Sequence, residues 1–436
     1  MRLPKNPKGF FHTDIIIFSS KLIEDDTVSA FITKYDMNVL RFCHFVLTPN
    51  KLRVTTSRIC RLHLHTSHFI RAIAEKKRGN DTAIIDQFGS MTYRDLDIAS
   101  SIVATSILDR TSDLTTIAGF NESNRYYVVS MLTAWKANKC FLPLCVSHPE
   151  HELNYFLSDS SARLVLHSPV TNARSCVDMA SMPVPSIDVS AICAAIDSNS
   201  SKTHLRQQTE FVEVDADALV LYTSGTTGKP KGVVHTHVGI SAMVDDLVQA
   251  WEYAASDKLL HFLPLHHLHG VLNKLLCVLQ VGGCVEFVAS ANAGDIWKRL
   301  AADKNTPQQK AITLFMGVPT IYAKMLEFAR IHADDACVLA GVDVLRNMRL
   351  HTCGSAALPD PVLSSWQALC GHVLLERYGM TEVGMALTNS YRGVRSGGEV
   401  GRPLPSMKCR LVGDKGEEIE SVEVPGELRL KVKRLK

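Results

Sequence analysis

The stretch Tyr222-Thr223-Ser224-Gly225-Thr226-Thr227-Gly228-Lys229-Pro230-Lys231-Gly232 has the composition of a phosphate site. Glycines let the main chain turn and bring N–H groups close to a ligand. Thr223, Ser224, Thr226 and Thr227 add hydroxyl donors, and Lys229 and Lys231 add positive charge. Before it, the apolar run 218–221 reads as a buried strand. After it, Val244, Leu247, Val248 and Trp251 repeat as one face of a helix. The stretch is therefore expected to join a strand to a helix. It is not the usual P-loop, because Thr223 stands where that motif needs its first glycine and Pro230 follows Lys229. A solvated turn is the alternative for any run rich in glycine and hydroxyls; the order of residues here favours a phosphate cradle.

Three further stretches hold chemistry-bearing residues: Leu263-Pro264-Leu265-His266-His267-Leu268-His269-Gly270, Gly354-Ser355-Ala356-Ala357-Leu358-Pro359 and Glu376-Arg377-Tyr378-Gly379-Met380-Thr381-Glu382. The three histidines lack a nearby cysteine or carboxylate in sequence, so a metal site is not expected of them.

The elements around these stretches alternate. Strands are expected over 115–119, 140–144, 162–166, 258–262, 284–289, 311–316, 349–353 and 373–377, with helices between many of them. A small hairpin turns at Gly89, and 181–215 reads as a connector. The expectation is an α/β fold with doubly wound, mostly parallel sheets and a small β region at the C-terminal end. In such sheets ligands bind beyond the carboxyl ends of strands. Each polar motif falls at such an end.

At 436 residues the chain is long enough for more than one domain. A net charge of +3 is too small to argue for nucleic acid, and no apolar run reaches the ~18 residues of a membrane span. The twelve cysteines include no C-x-x-C pair, which favours free thiols in a reducing compartment.

The four stretches, with Gly426-Glu427-Leu428, occur in an order and spacing that resembles the AMP-forming acyl-CoA synthetases of the adenylate-forming superfamily. The resemblance covers about 68–431, and the histidine and Glu376–Glu382 wording is most similar to the malonyl-CoA synthetases. It implies a two-step ligase using ATP, Mg²⁺ and CoA with a small carboxylic acid. It assigns Thr223, Ser224, Gly225, Thr226, Thr227, Gly228, Lys229 and Lys231 to the β- and γ-phosphates. Tyr378 and the turn Gly354, Ser355 and Ala356 would form the adenine pocket, continued by Gly379. Thr381 would reach the phosphates and Glu382 would hold Mg²⁺. Thr223, Lys229, Thr381 and Glu382 are the expected catalytic set, and His267 would stand beside the acyl group. Arg377 is the substrate clue. A second carboxylate needs a cation, and arginine binds carboxylates bidentately. Malonate or methylmalonate is therefore expected; a salt bridge from Arg377 to a neighbouring acid is the alternative.

Both ends depart from the pattern. Segment 38–74 has no acidic residue and carries Arg41, Arg53, Arg58, Arg61 and Arg71, the composition of a mitochondrial transit peptide behind Met37. A basic surface segment is the alternative, with a cytoplasmic location. Residues 1–36 are expected to be a poorly organised extension. The family's small C-terminal lid, which supplies the adenylation lysine and much of the CoA contact, has no counterpart after Gly426-Glu427-Leu428. The expectation is a lidless adenylation domain. Two other readings are a catalytically impaired nucleotide-binding remnant and a ligase for short or medium monocarboxylates.

Overall fold

The computed structural model describes residues 43–48, 51–56, 79–108, 114–170, 177, 179, 182–197, 215–223, 228–288, 291–395, 397–413, 415–419 and 427–432. Contacts divide the chain into two units, Met1–Ser67 and His68–Lys436. In the first, β1 (Cys43–Thr48) and β2 (Lys51–Thr56) pair antiparallel, with Thr48 opposite Lys51. The extension expected over 1–36 and most of the basic segment 38–74 lie outside the described residues.

The second unit is built on two large sheets. Its first eight strands are β3 (Thr82–Asp86), β4 (Gly89–Thr92), β5 (Thr116–Phe120), β6 (Cys140–Leu144), β7 (Val165–His167), β8 (Ser186–Asp188), β9 (Asp217–Thr223) and β10 (Lys231–Thr236). There follow β11 (Lys258–His261), β12 (Cys284–Phe287), β13 (Leu314–Gly317), β14 (Leu350–Cys353), β15 (Leu375–Met380), β16 (Gly384–Thr388) and β17 (Arg402–Pro403). One sheet has the order β10-β9-β6-β5-β7-β8, the other β17-β16-β15-β14-β13-β11-β12-β3-β4. The inner pairs are parallel, and antiparallel pairs occur only towards the edges, at β9–β10, β3–β4, β15–β16 and β16–β17. The central strands are apolar runs with both faces covered, so they show no alternation. A small antiparallel pair, β18 (Met407–Val412) and β19 (Glu427–Val432), closes the unit. This is the doubly wound α/β architecture expected from the sequence.

One helix ties the site's two halves together. Arg125–Lys136 starts on Asn124, whose side chain accepts from the Tyr126 N–H, and nearly every residue along it is buried. A helix apolar all round belongs inside a core rather than on a surface. Trp135 Nε1 donates to the Ala218 carbonyl of β9 at 2.7 Å, and Tyr127 Oη donates to the Leu265 carbonyl at 2.8 Å. The glycine-rich stretch and the histidine stretch thus share one support. A second core packs Phe315, Tyr322 and Trp366, with Phe315 and Trp366 stacked at 5.7 Å, beneath the ends of β13 and β14. Burying side chains of this size contributes about 1.5–3 kcal/mol each.

The glycine-rich stretch differs from expectation. It links β9 to β10, which pair antiparallel with Lys231 opposite Thr223, so it is the tip of a hairpin rather than a strand-to-helix turn. The helix begins only at His237, capped by Thr236, whose side chain accepts from the Gly239 N–H at 3.2 Å. Residues 231–236 have three exposed members among the first four, so this edge strand is not an apolar run. Ser224, Gly225, Thr226 and Thr227 lie outside the described residues.

Candidate active site

A cavity of about 610 Å³ opens at the carboxyl ends of β11, β13 and β14. Thr223, His267, His269, Ser355, Arg377, Gly379, Thr381 and Glu382 line it. With Val318 after β13, five sequence segments converge here, as the crossover topology requires.

Arg377 lies within β15 and is only 4% exposed. Its Nη2 donates to Ser355 Oγ at 3.2 Å, and its Nε has no hydrogen-bond partner among the described residues. The alternative of a salt bridge is not met: no described carboxylate pairs with it. Glu376, one residue earlier on the strand, turns the other way and accepts from the Gly398 N–H at 2.8 Å. Burial raises the Glu376 carboxyl above its ordinary range. Other well-covered arginines behave differently. Arg125 holds Asp86 at 2.6 Å, and Arg349 grips Asp257 through two bonds of 2.7 and 2.6 Å. An unpaired buried charge is unfavourable by several kcal/mol. Burial lowers even the guanidinium, to about 10.

The neighbours of Arg377 are shaped around it. A Cβ at Gly354 would stand 2.6 Å from Arg377 Nε, so only glycine leaves the guanidinium its place. Ser355 takes a left-handed backbone, φ 71°, uncommon for a residue with a side chain. Its Oγ meets both Arg377 and His269 Nδ1, the latter at 3.2 Å. His269 opens a π-helix, His269–Leu276, a form often found at functional sites. Gly270 packs against the Pro264 carbonyl, where a Cβ would come within 2.2 Å.

Behind this wall sits Lys274, fully buried on the π-helix. It donates to the Met316 carbonyl, and its Nζ lies 4.4 Å from the Phe262 ring centre. Burial first, and Arg377 second, hold its pKa well below the ordinary lysine value. Burial also holds His269 well below its ordinary value and brings His261 to about 3. The wall around Arg377 is thus a guanidinium with hydroxyl and nitrogen groups beside it, a place for an anion.

The cavity brings together Thr223, His267, Ser355, Arg377, Gly379, Thr381 and Glu382 from the sequence set. Gly228, Lys229, Lys231, Gly354, Ala356 and Tyr378 do not line it. Gly228, Lys229 and Lys231 are exposed on the hairpin, and Tyr378 is 37% exposed on the opposite side of β15 from Arg377. His269 and Lys274 are not among the site residues expected from the sequence. Their signal was a charged residue inside the apolar run 271–276.

Comparisons with known proteins agree with this fold. The mitochondrial malonate–CoA ligase ACSF3 of Xenopus laevis is 38% identical over 346 residues, covering 76% of this chain and 58% of that protein. The malonate–CoA ligase of Arabidopsis thaliana is 38% identical over 306 residues, covering 67% and 49%. The chain thus spans less than two thirds of the length of these relatives. ATP-bound MatB from Rhodopseudomonas palustris superposes with a TM-score of 0.68 at 27% identity, covering 85% of this chain and 71% of that one. The family model for AMP-binding enzymes matches residues 70–433, nearly the whole second unit with its cavity, and the chain belongs to that family.

Proposed function

We propose that this chain is the adenylating part of an ATP-dependent acid:CoA ligase that takes malonate. In the first step a malonate carboxylate oxygen attacks the α-phosphorus of ATP, the P–O bond to pyrophosphate breaks, and malonyl-AMP forms. In the second the CoA sulfur attacks the acyl carbon and AMP leaves. In-line substitution of this kind asks the protein chiefly to position groups and offset charge.

The observation that carries the reading is the buried, carboxylate-free guanidinium of Arg377 on the cavity wall. The free carboxylate of malonate would meet its Nε and Nη groups, leaving the other carboxylate in the cavity. A fatty acid would leave the charge unanswered. His267 would border the acyl group, and Thr223, Ser224, Gly225, Thr226, Thr227, Gly228, Lys229 and Lys231 would hold the departing phosphates. Tyr378, with Gly354, Ser355 and Ala356, would flank adenine. Hydroxyls of Thr223 and Thr381 and the Glu382 carboxylate line one cavity. Such hard oxygen donors suit Mg²⁺. Glu382 would hold the ion, which when bound offsets phosphate charge. The names of the relatives support malonate, and the acid-free segment 38–74 supports a mitochondrial location. A fusion starting at Met37 that stays diffuse in the cytosol would refute that location.

The test is ATP–pyrophosphate exchange with malonate, methylmalonate, acetate and octanoate. Exchange that depends on malonate is expected. Exchange with octanoate or acetate but not malonate overturns the substrate, and none with any acid while ATP binds overturns the adenylating activity.

A further inference from the structure

Outside the acid cavity, three side chains with metal-binding chemistry meet from distant parts of the sequence. Cys145 follows β6, His148 lies in the turn before the helix Glu150–Asp159, and His266 lies in the stretch after β11. Their donor atoms all fall within 4.8 Å of one another. The His148 and His266 rings meet edge to face at 5.4 Å. All three residues are half-buried, so an ion can reach them from solvent. His148 Nδ1 is buried with no hydrogen-bond partner among the described residues, and Glu152 Oε2 stands 3.8 Å from it. Cys145 Sγ has Ser147 Oγ at 3.1 Å as its neighbour.

We propose that Cys145, His148 and His266 bind a zinc ion, with water in the fourth position and Glu152 orienting His148. One thiolate and two imidazoles suit a borderline-soft cation and not Mg²⁺, which prefers oxygen. With Zn–S near about 2.3 Å and Zn–N near about 2.0–2.1 Å, the donors need to close by roughly 1 Å, within reach of side chains carried on turns. The carboxylate–histidine pair is the arrangement that fixes a ligating imidazole.

The placement gives the site a consequence. Cys145 and His148 belong to the end of the six-stranded sheet, and His266 to the end of the nine-stranded one. A separate cavity of about 330 Å³ beside Cys145 and His266 shares Leu263 and Pro264 with the acid cavity. His267, next to His266 with ring centres 4.3 Å apart, lines that acid cavity. A bound zinc ion would tie the two sheet ends together and fix the segment that carries His267.

The experiment is titration of the metal-free full chain with Co²⁺, which replaces Zn²⁺ and reports its ligands by colour. The expected result is one equivalent bound, with a thiolate-to-cobalt charge-transfer band, visible bands of tetrahedral cobalt, and loss of both on adding Zn²⁺. Cys145→Ser should abolish the charge-transfer band, and His148→Gln should weaken binding at least tenfold while circular dichroism stays unchanged. Glu152→Gln should weaken it about ten- to a hundredfold. A charge-transfer band that persists in Cys145→Ser would mean that another thiol binds the metal, and the proposal fails. Octahedral spectra, or no binding by the folded wild-type chain, overturn it as well.

Discussion

Arg377 was legible in the sequence as a cation at a strand end; its isolation was not. Whether a guanidinium has a carboxylate partner depends on residues brought in from other strands, and here none of the described ones supplies it. Replacing it with leucine removes the charge but keeps an apolar side chain. Losing one side of a buried charge-assisted contact is unfavourable by about 2–5 kcal/mol. Malonate-dependent exchange by Arg377→Leu should therefore fall by at least about thirtyfold, with acetate unchanged or improved. Equal malonate kinetics in mutant and wild type would refute the assignment. The cysteine–histidine cluster shows the opposite case. His266 is visible in the sequence, but Cys145 and His148 lie far from it along the chain, so no short ligand spacing links the three.

Among the elements, the parallel strands were the most legible part, because a strand buried on both faces is a short, uninterrupted apolar run. The stretch 181–215, expected as a connector, instead holds β8 and the helix Val189–Asp197, and two other missed elements had no such pattern. β10 is half exposed, and the π-helix His269–Leu276 is buried all round. The turn after β14 is a place where the element itself sets chemistry. At Gly354 an added methyl meets Arg377 Nε, the movable part of a side chain rather than backbone. Gly354→Ala should consequently fold but shift the guanidinium. The expected signature is a KM for malonate raised by about tenfold or more, with little change in the KM for ATP; an unchanged malonate KM would show that Arg377 tolerates the methyl group.

The molecule as a whole carries several histidines buried in the neutral form. Burial brings His237 to about 4 and His261 to about 3, and holds His269 and His351 well below their ordinary value of 6.5. Below pH 6.5 the unfolded chain therefore binds more protons than the folded one, so stability rises with pH across that window and falls as pH drops from 6.5 towards 4. The urea midpoint should decrease steadily from pH 7 to pH 5. A flat midpoint over that range would show that these rings are charged or exposed in the native state.

The unanswered charge of Arg377 has a further effect, on persistence rather than on chemistry. A protein with a gap in its electrostatics is completed by whatever fills the gap, and an anion bound only to the native form adds RT ln(1 + [L]/Kd), about 2.7 kcal/mol at a hundredfold excess over Kd. Malonate should raise the unfolding temperature of the wild-type chain and leave Arg377→Leu unmoved. Supply of the acid would then govern how long each molecule survives, so that a shortage of the acid thins the population of the protein before it slows any single turnover.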